Sequence, residues 1–152
     1  MIWKIVLCLS LSFGLQSQSN LANPWIEYSS IEEASKQSSF SLSSIPNEIE
    51  QESISYIGYL KKEKIWQVNY GENAFVLRKG KGKKDISGDY NDYALQKKKT
   101  IHHCKVTIKA LNFNKSKDAY NLAIWHDQKY AYSIYSENGM SLDTIKKLMI
   151  QM

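Results

Sequence analysis

The chain has 152 residues, 43% of them hydrophobic and 23% charged, with a formal charge of +5. That balance is globular and excludes a disordered polyelectrolyte, and the length suits one ordinary domain whose core needs no disulfide staples. Arg78 is the only arginine. The positive charge is therefore lysine, a solvated point charge without the fork geometry that reads phosphates and bases, which argues against sequence-specific nucleic-acid binding.

In chain order, the first element reads as an address. Lys4 gives a positive start, Ile5 to Leu15 is an apolar run, and Gln16 to Ala22 turns polar and small. Such an order predicts a secretory signal peptide over residues 1–22, with a single domain over 23–152. The apolar run is about 11 residues against the ~20 that cross a bilayer, so no transmembrane helix is expected once the signal is removed. Cleavage is expected before Asn20, with cleavage after Ala22 as the alternative. Leu7 before Cys8 is not the small residue a lipoprotein signal carries. Loss of Cys8 leaves Cys104 alone, either unpaired or paired between chains.

Ser30-Ile31-Glu32-Glu33 has capping-box spacing and predicts a short helix at about 31–38, after which Phe40 and Leu42 lead inward and Pro46 halts the segment. From Ser53 the period becomes two. Ile54, Tyr56 and Ile57 to Leu60 form a strand, Lys61 to Lys64 a polar turn, and Trp66, Val68 and Tyr70 alternate with Gln67 and Asn69 in the next strand. Gly71-Glu72-Asn73 turns the chain. Ala74 to Lys79 follows, with Phe75 and Leu77 on one face and Val76 and Arg78 on the other. Gly80 to Asp92 reads as a long polar loop. A fourth strand is predicted at about 101–111, with Cys104, Val106, Ile108 and Ala110 facing one way and Lys105, Thr107 and Lys109 the other. Leu122 to Trp125 and Tyr130 to Tyr135 make a hairpin around Asp127-Gln128-Lys129.

The C-terminal element carries full helix punctuation. Ser141 is an N-cap, Asp143 sits in the first turn, and Met140 with Ile145 fills the hydrophobic-staple positions. Leu142, Ile145, Leu148, Met149 and Met152 share one stripe. The whole predicts an α+β fold: an antiparallel sheet of about five to six strands, with a short N-terminal helix and a C-terminal amphipathic helix packed on one face.

Asn23-Pro24-Trp25, Ile31-Glu32-Glu33-Ala34, Ile86-Ser87-Gly88-Asp89-Tyr90, Trp125 with Tyr132-Ser133-Ile134, and Gly139 with Ser141-Leu142 together resemble an uncharacterised family of small secreted or envelope-attached bacterial domains. The resemblance spans most of residues 23–152. It implies export and an α+β fold, and it carries no catalytic residues. Related domains in envelope regulators and sporulation-type proteins imply a binding or sensing role. The chain departs from the family at the last hairpin, which usually turns through glycine and here turns through Asp127-Gln128.

Three constellations compete for chemistry. In His102-His103-Cys104, alternation on a strand would put His102 and Cys104 on one face, but zinc wants at least three ligands and His126 is distant in sequence. A buried, inert thiol explains Cys104, and a Cys–His nucleophile pair would require Cys104 beside His102. Asp85-x-Ser87-x-Asp89-x-Asn91 starts like a calcium loop, but Tyr90 stands where glycine is needed and Gln96 where glutamate is; an ordered turn explains it. Arg78 to Lys84 is the most basic stretch, and Lys79, Lys81, Lys83 and Lys84 are its candidate contacts with an anionic surface; a solvated, edge-protecting charge run is the bland alternative. The aromatics read either as strand packing or as a sugar platform.

These readings lead to one expectation: a secreted or periplasmic, non-catalytic binding or regulatory module of the bacterial envelope. No cofactor or metal is implied, and the partner is an envelope protein or an anionic surface polymer. The alternative is a small secreted hydrolase or metal-dependent enzyme using His102, Cys104, His126 or the Asp85–Asp92 loop.

Overall fold

The computed structural model describes residues 23–38, 40, 53–71, 74–112 and 119–152. The predicted signal peptide of 1–22, the predicted positions of Leu42 and Pro46, and the Glu72-Asn73 part of the predicted turn lie outside them. The chain is α+β: β1 (Trp25–Glu27), α1 (Ile31–Gln37), β2 (Ile54–Leu60), β3 (Ile65–Tyr70), β4 (Phe75–Lys81), β5 (Leu95–Ile101), β6 (Cys104–Ala110), β7 (Ala119–His126), β8 (Tyr130–Ser141) and α2 (Leu142–Gln151). The strands form one antiparallel sheet in the order β1-β2-β3-β4-β8-β7-β6-β5. Two four-stranded meanders thus meet where β4 pairs with β8.

Among the described residues, eight strands replace the expected five to six. The predicted strand at 101–111 is two elements: Ile101 ends β5, Cys104 begins β6, and His102-His103 is the turn between them. Both histidines have positive φ, 47° and 66°. Left-handed backbone at both central residues is what a type I′ two-residue hairpin turn requires, a turn whose twist matches the right-handed twist of the strands. β1 is short and becomes a strand only by pairing with β2.

Pairing assigns the faces. Ile57, Tyr59, Trp66, Val68, Leu77, Ile134, Ala123, Trp125, Val106 and Ile108 point to one side, and each is buried. Both helices close over this side. Ala34 of α1 and Ile145 and Leu148 of α2 have no exposed surface and belong to the same core. Burying Ile145 and Leu148 stabilises by about 1.5–3 kcal/mol each. The α2 cap forms as expected, the Thr144 amide donating to the Ser141 hydroxyl at 3.0 Å, and Lys146 adds an ion pair to Asp143 at 2.9 Å. The α1 cap differs in one bond. The Glu33 amide donates to the Ser30 hydroxyl at 3.1 Å, but the Glu33 carboxylate accepts from the Ser29 amide and hydroxyl instead of returning to Ser30.

Most of the aromatics are accounted for by this core. Tyr59 stacks on Trp66 at 4.5 Å and Trp125 on Tyr132 at 5.3 Å, on the helix side of the sheet. Tyr90, on the opposite side of the sheet, is 96% exposed and separate from them.

Topology dictates what covers the second face. β4 and β5 run parallel, since each of the three strands between them reverses direction. The chain must therefore travel from the end of β4 to the start of β5 along the whole strand length and across three strands. Four inter-strand spacings are about 19 Å and seven residues of strand about 23 Å, a diagonal that 13 residues of extended chain span easily. Residues 82–94 make that diagonal as a strap over the face opposite the helices.

Candidate anion-binding groove

The strap is fastened by a small network around the sole arginine. The Arg78 Nε donates to the Gln67 side-chain oxygen at 2.7 Å, and its Nη1 donates to the carbonyls of Ile86, at 3.1 Å, and of Ser87. The guanidinium carbon also lies 5.5 Å from the Trp25 ring centre. Arginine suits the position because one planar group serves the sheet, two strap carbonyls and a ring together. Gly88 sits on the same joint with φ +59°, and a Cβ there would lie 2.1 Å from Arg78 Nη1. Ile86 is buried, its methyls 3.4–3.5 Å from where a Gly80 Cβ would stand, so the absence of a side chain at Gly80 gives the strap its seat. Gly82, at φ +100°, opens the strap, and its amide donates to the Lys129 carbonyl at 2.9 Å.

Between the strap and the outer strands lies a groove of about 420 Å³. Lys83, Lys84 and Asp85 of the strap form one wall, and its floor carries Gln96 and Lys98 from β5, Lys105, Thr107 and Lys109 from β6, and Ile124 and His126 from β7. The register explains the assembly. Lys98 stands opposite Thr107, Gln96 opposite Lys109, and Thr107 opposite Ile124, so one face of three strands presents these residues in rows. Same-face residues are about 6.7 Å apart along a strand, which places Lys105 and Lys109 about 13 Å apart with Lys98 offset between them.

Among the described residues, five lysines line the groove against one carboxylate, Asp85, whose Oδ1 already accepts from the Ser87 amide at 2.9 Å. Lys98 and Lys105 are exposed; Lys109 is half-buried with its Nζ 5.2 Å from the centre of the Tyr93 ring. Two like charges about 8 Å apart repel by about 0.5 kcal/mol in water and about 2 kcal/mol at a protein surface. The fold therefore gathers cations here against their mutual repulsion, and an anion in the groove would relieve it.

The four lysines singled out from sequence divide between the two faces. Lys83 and Lys84 line the groove. Lys79 belongs to the helix-covered side: it is 8% exposed, its Nζ lies 5.0 Å from the Tyr130 ring and 5.7 Å from the Tyr132 ring, and burial lowers its affinity for a proton while Asp127 opposes that. Lys81 lies on that side too, 5.8 Å from the Phe40 ring. The strand alternation of Lys105 and Lys109 was readable. Their convergence with Lys98 and the strap was not, because β5 gave no strand signal and three distant segments build the site.

The thiol and imidazole suspects do not converge, although Asp85 and His126 both line the groove. Cys104 continues the Val106-Ile108 face toward the core and is half-buried, not fully buried as expected. His126 alternates with Leu122 and Ile124 on the groove face, so the sheet separates thiol and imidazole. His102 occupies the hairpin turn, which corrects its placement beside Cys104 on one strand. Among the described residues no group of three or more His, Cys, Asp or Glu side chains could hold a metal ion. The Asp85–Asn91 run makes local bonds: the Asp89 amide lies 3.4 Å from the Ser87 hydroxyl, and the Asn91 amide group donates to Asp89 at 2.6 Å. Among the described residues, no helix is long and apolar enough to cross a membrane.

No family model, curated protein or solved structure matches the chain.

Proposed function

We propose that this protein is an exported, non-catalytic binding module of the bacterial envelope that engages an anionic partner through the groove between the strap and β5–β7. The observation that carries the reading is the groove itself, where the described residues set five lysines against one already bonded carboxylate. The leader-like first 22 residues and the resemblance to envelope domains support export, and the separation of Cys104 from His126 favours binding over thiol chemistry.

Two measurements test it. Expressed from its full sequence in a bacterium, the protein should be recovered outside the cytoplasm with a mass that begins after Ser19 or Ala22. An uncleaved cytoplasmic product would sink the export half. Purified protein should be retained on an anionic matrix at low ionic strength, and a K98Q/K105Q variant should elute earlier, whereas K61Q/K62Q, altered in the β2–β3 turn, should not. Equal shifts from both variants would mean that net charge, not the groove, does the binding.

A further inference from the structure

Taking that reading as its basis, we propose that the groove is a site for a linear phosphate polymer, a chain of phosphates joined in line without stacked bases, lying along β6 between the strap wall and β5. Four features select this ligand class.

The cations are distributed along a line. Lys105 and Lys109 stand on one strand about 13 Å apart, with Lys98 offset between them and Lys83 and Lys84 facing them from the strap. A compact ion could touch only part of that array, whereas a chain meets it in succession.

The charges are all lysine. Ammonium groups on flexible stems attract charge without imposing the orientation that an arginine fork imposes, which suits a polymer whose phosphates slide and rotate. Thr107 and Gln96 on the floor add hydrogen-bonding groups between the charges.

Among the described residues the groove lining presents no tryptophan, tyrosine or phenylalanine ring, and its one aromatic group is the small His126 imidazole. The indole of Trp125 lies on the other face against Tyr132. Proteins that hold single-stranded nucleic acid place bases on exposed rings, so a chain without bases fits better.

The floor also lies beside a wall. A flat layer of lipid headgroups would rest on the strap and on Tyr90, which is 96% exposed. A chain can enter between strap and β5, the edge of the sheet.

The test is a binding series on the purified protein with orthophosphate, tripolyphosphate, long-chain inorganic polyphosphate, poly(glycerol phosphate), oligo-dT of matched charge and phosphatidylglycerol vesicles. Affinity per phosphate should rise with chain length, and the long chain should lose roughly 100-fold between 50 and 200 mM salt, as expected for about five displaced counterions. K98Q/K105Q should weaken it at least tenfold with an unchanged unfolding midpoint, and K61Q/K62Q should leave it alone. Comparing inorganic polyphosphate with poly(glycerol phosphate) identifies the source of the phosphate chain. Equal affinity per phosphate for orthophosphate and the polymer, tighter binding of oligo-dT, or an unaffected K98Q/K105Q variant would overturn the proposal. Vesicle binding that depends on Lys98 and Lys105, without polymer binding, would overturn it while leaving the anionic-partner reading standing. Failure to bind any of these anions at low salt would remove both.

Discussion

Arg78 and Gly88 form the joint on which the second face of the sheet depends. Replacing Arg78 with lysine keeps the charge but gives up the planar fork, leaving strap carbonyls and Gln67 without donors. A loss of about 2 kcal/mol is expected by chemical denaturation, with faster hydrogen exchange over the strap. Gly88→Ala should cost a similar amount, about 2 kcal/mol, because it combines left-handed backbone with displacement of the guanidinium. Asp127 gives a pH-dependent handle. Burial alone would raise its carboxyl, but the amides of Tyr130 and Lys129, the Tyr132 hydroxyl and the Lys79 charge together hold it below the ordinary value. A depressed folded value means that its stabilisation is complete above the unfolded carboxyl value of about 3.9 and is lost as the pH falls through the folded one. The stability difference between wild type and Asp127→Asn, followed by denaturant midpoint, should be constant from pH 7 to about pH 5 and shrink toward zero in stronger acid. A difference that grew in acid would contradict this assignment.

At the scale of elements, those with a distinctive apolar pattern or cap were legible and those defined by pairing were not. Trp66, Val68 and Tyr70 alternate with polar partners, and β3 lies where that alternation placed it. Ser141 with Met140 and Ile145 marked the start of α2. Removing that cap as Ser141→Ala should cost about 1 kcal/mol by thermal or chemical unfolding. β5 carries Lys97-Lys98-Lys99 at the middle of an edge strand, a composition that solvates both faces and gives no period to read. Its strand state comes from the ladder with β6, and its lysines discourage the exposed edge from pairing with another chain. The histidine turn was missed for a related reason: nothing in His102-His103 announces positive φ, as Asn-Gly would have done.

For the whole molecule, the decisive fact is topological. Joining two meanders through β4 and β8 obliges the β4–β5 connection to cross the face that the helices leave uncovered, and that crossing creates the groove. Part of the site was visible as the basic stretch around Lys83 and Lys84. Its other half was distributed over β5 and β6 and became a site only through register. The two helices, most of the aromatics and Lys79 serve the opposite side, and the proposed binding surface is the strap side. The most direct test is a lysine-acetylation footprint read by mass spectrometry, with and without polyphosphate and, separately, dextran sulfate at low salt. Protection is expected at Lys83, Lys84, Lys98, Lys105 and Lys109, with Lys61 and Lys62 as reactive as before. Uniform protection of all lysines, or protection centred on the β2–β3 turn, would contradict the groove as the binding surface.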